Sequence, residues 1–350
     1  MKIAVYTIAL NEENFVERWY TANKDADYLV IADTGSSDKT VEKARELGIL
    51  VHEISIKPWR FDDARNTALA LVPSDTDVCV SVDMDEVLYP GWREALESQW
   101  GDANHGRFLY TWNHLEDGSN GLTFWYEKIH ARHGFRWKHP VHEIIQPDHR
   151  TQEKWVDVHG FELHHFADPT KSRSQYLDLL ELSVVEDPSN DRNAYYYARE
   201  LMFNGLNEQA TKEYKRHLSL PSAVWRPERA AGMRSLAKVD VPENAESWLI
   251  MATEECPEDR EPWIELAQYY YRNSKWEQCL RAAERCLQIT IRTYSYLSEA
   301  WAWGPEPYDL AAIAAHNLGM KEKALEYGQE AFALNPTDGR LAENLNWYRK

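Results

Sequence analysis

Asp83 and Asp85 stand two positions apart, directly after the apolar run Val78-Cys79-Val80-Ser81-Val82. Such a run reads as a buried strand. Side chains alternate along a strand, so the two carboxylates are expected to point the same way where it ends. Open α/β sheets bind their ligands at that edge. Neighbouring carboxylates repel unless a proton or a cation neutralises them. A hard divalent ion carrying a diphosphate meets that need. Asp-x-Asp is common in surface loops; its place behind a hydrophobic strand gives it meaning.

Three upstream segments end or begin elements in the same way. Thr7-Ile8-Ala9-Leu10-Asn11-Glu12 closes a first strand and opens a helix. Asp33-Thr34-Gly35-Ser36-Ser37-Asp38 closes a second strand with a small turn that leaves room for a nucleotide. Asp33 either caps that turn or bonds a ribose or base. Arg65, in Phe61-Asp62-Asp63-Ala64-Arg65-Asn66, either clamps diphosphate oxygens or forms an ion pair. Thr7, Ala9, Asn11, Glu12, Asp33, Arg65, Asp83 and Met84 are the expected contacts of a nucleotide and its diphosphate.

The elements that must position these residues alternate. Strands are expected at Ile3–Ile8, Tyr28–Ala32, Leu50–Ile54 and Val78–Val82, and helices at Glu13–Asn23, Lys39–Leu47 and Phe61–Leu71. This βα alternation implies a mostly parallel, doubly wound sheet. From 106 to 166 aromatic and β-branched residues dominate, which predicts antiparallel strands finishing the same sheet. A helix is expected over Thr170–Glu186.

Beyond residue 190 the pattern is helical and repeats. Ala210, Ala245, Cys279 and Ala324 are each followed seven residues later by His217, Ala252, Cys286 and Ala331. Ala198, Ala267 and Ala312 lie twelve residues before Ala210, Cys279 and Ala324. An insertion around Thr290–Pro305 lengthens the last spacing, and Arg340–Arg349 reads as a capping helix. A period near ~34 with small residues at fixed places resembles tetratricopeptide repeats. The domain expectation is 1–188 for the α/β part and 189–350 for the repeats. The aromatics of the repeats suit docking of an acceptor or partner on a concave surface, or a homodimer.

The runs "LNEE", "DTGSSDKT", "FDDARNTAL" and "DMDE", in that order, resemble the family-two GT-A glycosyltransferases over residues 1–185. Trp137-Lys138-His139-Pro140-Val141-His142-Glu143 and Leu163-His164-His165-Phe166 resemble a bacterial and phage subgroup carrying C-terminal tetratricopeptide repeats. The resemblance implies a UDP-, GDP- or CDP-linked sugar donor, Mn²⁺ or Mg²⁺, and inverting transfer to a glycan, lipid-linked or protein acceptor. On that reading Asp85 binds the metal, Asp83 binds metal or ribose, and His165 or His164 completes the site. The Glu-Asp pair that often supplies the base is not recognisable, nor is the Gln-x-x-Arg-Trp motif of processive synthases. Glu143 is the candidate base, with Glu116 and Asp117 in reserve and an ion pair with Lys138 or Arg136 as its alternative. Trp112, Trp125 and Trp137 either stack on an acceptor or fill the core.

Two rivals share these residues. Val82–Leu88 resembles the first motif of haloacid-dehalogenase-type phosphatases, where the first Asp is a nucleophile. Those enzymes carry it on their first strand, with Gly where Glu86 stands. A repeat scaffold with an inactive nucleotide-binding domain is the non-enzymatic rival.

The chain has 350 residues, ample for two cores, and a formal net charge of -18. That charge disfavours bare nucleic acid and anionic membranes as partners. The four scattered cysteines read as buried thiols, which suits a cytoplasmic location. No apolar stretch reaches the ~18 residues of a membrane span.

Overall fold

A computed structural model describes residues 1–115, 118–168 and 175–349. They form two compact units, Met1–Ser183 and Val184–Lys350.

The first unit begins with β1 (Ile3–Ala9), α1 (Val16–Asn23), β2 (Tyr28–Asp33), α2 (Thr40–Glu46), β3 (Leu50–Glu53), α3 (Phe61–Leu71) and β4 (Val78–Ser81). Every residue of β4 and nearly all of β1 are buried, the mark of strands covered on both faces. β5 (Glu86–Leu88), α4 (Trp92–Gln99), β6 (His105–Thr111), β7 (Thr123–Ala131), β8 (Phe135–Lys138), β9 (Ile144–Pro147), β10 (Trp155–His165) and α5 (Tyr176–Glu186) follow.

Eight strands make one sheet in the order β3-β2-β1-β4-β7-β6-β10-β5. The first four are parallel. β7 runs antiparallel to both β4 and β6. The expected wholly antiparallel finish is only partly met, because β6 and β10 pair in parallel and β8 with β9 forms a separate ribbon. That ribbon intervenes between β7 and β10, so the chain returns to the sheet in the direction of β6. β5 has no counterpart among the expected strands. It pairs antiparallel with the end of β10, setting His165 opposite Glu86. The expected start of the helix at Thr170 lies outside the described residues; α5 spans Tyr176–Glu186.

The second unit is all helical: α6 (Asp191–Phe203), α7 (Asn207–Ser219), α8 (Arg226–Val239), α9 (Ala245–Glu255), α10 (Arg260–Arg272), α11 (Trp276–Leu287), α12 (Glu306–Asn317), α13 (Lys321–Leu334) and α14 (Gly339–Tyr348). Helices pack as the pairs α6/α7, α8/α9, α10/α11 and α12/α13, with α14 closing on α13. The small residues at repeat positions are buried, including Ala198, Ala210, Ala267, Cys279, Ala312 and Ala324. Their size lets neighbouring helices approach closely. All four cysteines are free and buried.

The segment between α11 and α12 folds back over α6, α8 and α10. Tyr296 stacks on Tyr196, with centroids 5.9 Å apart and planes at 18°, and its hydroxyl donates to Glu228. Glu299 accepts from Arg234 at 2.7 Å, and its backbone N–H donates to Glu261 at 2.8 Å. Arg260 lies 4.1 Å from the Trp303 ring centroid. The insertion therefore covers the face shared by the first helices of three pairs.

Candidate functional site

β4 ends at Ser81, and Asp83 to Glu86 form a turn closed by the Glu86 N–H donating to the Asp83 carbonyl at 2.9 Å. Strand alternation therefore does not extend to Asp83 and Asp85, and different partners take the two carboxylates.

Asp83 meets two buried cations. Arg65 of α3 grips it bidentately, Nη1 to Oδ1 at 2.7 Å and Nη2 to Oδ2 at 3.1 Å. Lys128 of β7 donates to Oδ2 at 3.0 Å. Burial alone would raise the Asp83 pKa, yet the charges of Arg65 and Lys128 outweigh it and hold the carboxyl far below the usual carboxylate range. Lys128 also donates to both oxygens of Glu86, at 2.7 and 2.9 Å, and Tyr110 donates to Glu86 at 2.7 Å. Burial raises the Glu86 pKa, with Lys128 opposing the shift.

Arg65 takes the ion-pair alternative of the sequence reading, with Asp83 and Glu143 and buried rather than at the surface. Its Nε donates to Glu143, Nη1 also reaches Ser81, and the guanidinium lies 5.1 Å from the Trp137 ring centroid. These donors face protein carboxylates rather than open solvent. Glu143, the candidate base, forms an ion pair with Arg65 in place of the alternative partners Lys138 and Arg136. Glu116 and Asp117 lie outside the described residues.

Asp85 faces His165, with Nε2 3.4 Å from Oδ2. The other ring nitrogen, Nδ1, is 3.0 Å from the Trp112 carbonyl, a contact that requires it to carry the proton. A neutral ring would then turn its Nε2 lone pair toward the carboxylate. Burial lowers the His165 pKa, but Asp85 outweighs this and the pKa is raised. His164 turns elsewhere: its Nδ1 is 3.0 Å from His114 Nε2, and its ring lies 4.2 Å from that of Tyr89. Burial and the neighbouring His114 lower its pKa.

The two nucleotide-side segments are stitched together. Asn11, at φ 56, donates its N–H to Ser36 Oγ at 2.8 Å and accepts from the Ser37 N–H at 2.8 Å. Ala9 accepts at its carbonyl from Thr34 N–H and hydroxyl, and Glu12 N–H donates to Thr40. Gly35, at φ 114, turns the chain where a side chain would be strained. Asp33 Oδ2 accepts from the Gly35 and Ser36 N–H groups at 3.0 and 2.9 Å. Its Oδ1 is buried with no hydrogen-bond partner among the described residues. Asp33 thus caps its turn and still has an unused acceptor. Thr7 and Met84 are buried.

Of the three tryptophans, Trp137 is buried and donates to the Tyr6 hydroxyl at 2.7 Å, a core role. Trp112 is 39% exposed and stacks on His165 with centroids 4.4 Å apart. Trp125 lines a cavity of about 150 Å³ with Leu109, Thr123, Phe161 and His164.

Residues 4–159 match the model of the family described as Glycosyl transferase family 2. They form a family 2 glycosyltransferase domain. The four motifs point to the same family. An uncharacterized glycosyltransferase of Rickettsia bellii (strain RML369-C) is 29% identical over 109 residues, 31% of this chain and 36% of that protein. The chain thus spans about a third of the length of the curated relative it matches. Among solved structures, glucosyl-3-phosphoglycerate synthase from Mycobacterium tuberculosis, in complex with Mn²⁺, UDP and glucosyl-3-phosphoglycerate, aligns at 24% identity and TM-score 0.27, covering 31% of this chain and 44% of that one. A thermophilic TPR protein from Thermus thermophilus aligns at 18% identity and TM-score 0.32, covering 49% of this chain and 88% of that one. In the family 2 domain Asp83 follows the fourth strand with both oxygens bonded to cations, unlike a phosphatase nucleophile on a first strand.

Lys128, Glu86 and Tyr110 were missed by sequence reasoning. A signal existed: Lys128 stands within the aromatic and apolar run Phe124–His130 of β7, and a lysine buried in such a run requires an acid.

Proposed function

We propose that the chain transfers a sugar from a nucleoside-diphosphate sugar to a hydroxyl or similar nucleophile, with inversion, at the edge formed by β1, β2 and β4. The observation that supports this most is the pair of Asp85 and His165, an oxygen and a nitrogen donor 3.4 Å apart beside the Asp83 turn. Among the described residues no three His, Cys, Asp or Glu side chains converge as a metal cage. Mg²⁺ and Mn²⁺ on a diphosphate need no such cage, because phosphate and water supply most of their ligands. The donor set therefore fits. Asp85 and His165 hold the ion, which when bound supplies charge stabilisation to the leaving diphosphate.

The chain's own residues do the rest. Asp33 offers its unused oxygen to an N–H or hydroxyl of the nucleoside, and Asn11 fixes the turn beside it. Glu143 takes the acceptor proton as the acceptor oxygen forms its bond to the anomeric carbon. The bond from that carbon to the diphosphate oxygen breaks, and its electron pair leaves with the diphosphate. Arg65 holds Asp83 and Glu143 in fixed relation rather than clamping phosphate. The repeats engage an acceptor, a partner or a second copy through a surface other than the one covered by residues 290–305. No described helix is long and apolar enough to cross a membrane.

The test is a thermal-shift series with UDP, GDP and CDP, each with Mn²⁺, followed by hydrolysis of a panel of nucleotide sugars. One nucleotide should stabilise the protein and its sugar conjugate should be slowly hydrolysed. No shift from any of them would favour the scaffold reading.

A further inference from the structure

Resting on the glycosyl-transfer reading, we infer that Arg18 is the residue that binds the diphosphate of the donor. The cations already described have no charge to spare. Arg65 and Lys128 face three carboxylates, Asp83, Glu86 and Glu143. A diphosphate placed against Asp85 needs positive charge from elsewhere in the protein.

α1 brings Arg18 to that place. The neighbouring Trp19 donates its indole N–H to the Val82 carbonyl at 3.0 Å, pinning the helix to the start of the Asp83 turn. The Arg18 guanidinium lies 5.4 Å from the ring centroid of Phe166, whose N–H donates to the Asp85 carbonyl at 2.8 Å. It lies 4.9 Å from the ring of Phe15. Two aromatic faces thus hold the guanidinium plane beside Asp85.

Its donors are unspent. Nε and Nη2 are closed to solvent and have no partner among the described residues. Buried donors are nearly always satisfied, so an orphaned pair on one guanidinium calls for an acceptor that the ligand-free chain lacks. The edge formed by Nε–H and Nη2–H is the fork that takes two phosphate oxygens at once. Asp85 and Glu12 act on Arg18 through charge, and neither takes a hydrogen bond from that fork.

The experiment compares Arg18→Met and Arg18→Lys with the wild-type chain by calorimetric titration. The probes are the diphosphate found to shift the protein with Mn²⁺ and its mononucleotide counterpart. Arg18→Met should weaken the diphosphate at least ~10-fold and the monophosphate much less, the cost expected for a charge-assisted contact. Arg18→Lys should recover part of the loss, and unliganded melting temperatures should stay close. Equal weakening of both nucleotides, or unchanged diphosphate affinity in Arg18→Met, would overturn the assignment and leave the proposed function standing. Failure of the wild-type chain to bind any nucleoside diphosphate would overturn both.

Discussion

Lys128 Nζ lies 3.0 Å from Asp83 Oδ2 and ties the turn after β4 to the antiparallel strand beside it. The same ammonium holds Glu86, so one buried cation serves two carboxylates. Removing one partner of such a group leaves uncompensated charge in a low-dielectric setting. Lys128→Met should therefore cost about 3–5 kcal/mol of stability. Urea denaturation measures it. Adding Glu86→Gln to Lys128→Met should recover part of that loss. A single variant as stable as wild type would show that the cluster does not carry this energy.

Asp85 and His165 are expected to act together on the metal. Asp85→Ala should abolish Mn²⁺-dependent hydrolysis of the donor. His165→Ala should weaken Mn²⁺ by at least the ~10-fold that outer partners of metal ligands typically cost. Titration of Mn²⁺ in the presence of nucleoside diphosphate checks both, and unchanged metal affinity in the two variants would remove the assignment.

Glu143 can be separated from the metal site by an isosteric change. Glu143→Gln keeps an oxygen to accept from Arg65 Nε, so the local packing should survive. Loss of the base should lower kcat by about 10²–10⁴-fold with little change in donor affinity. A parallel loss of donor binding would instead assign Glu143 a role in holding the nucleotide.

Much of this arrangement is legible in the sequence because it is carried by local pattern. The apolar runs that became β1, β2 and β4 are continuous, and Phe61–Leu71 is helical as its spacing implies. The small residues of the repeats announce close helix packing by their period alone. What local pattern cannot carry is pairing across distance. The partners of Arg65 and Lys128 are fixed by sheet order, with β7 inserted beside β4. That His165 rather than His164 faces Asp85 goes with the register of β10 on β5, a strand of three residues too short to leave a periodic signal.

The insertion over the repeats makes a prediction of opposite sign to an ordinary surface acid. Burial raises the Glu228 pKa above the usual glutamate value, although the Tyr296 hydroxyl and the charges of Arg192 and Arg199 oppose it and Asp191 reinforces it. A carboxyl with a raised folded-state pKa binds its proton more tightly in the folded chain. Its contribution is therefore fully present below the unfolded pKa and is lost as pH rises through the folded one. Glu228→Gln removes that loss, so its stability relative to wild type should increase as pH rises from about 4 toward neutrality. Tyr296→Phe should act the other way. It leaves the Glu228 carboxylate without its hydroxyl donor and should cost about 1–3 kcal/mol at neutral pH, less in acid where Glu228 is protonated. Urea denaturation of the three proteins across that range gives the answer. A pH-independent difference between Glu228→Gln and wild type would mean that the buried acid does not titrate with folding.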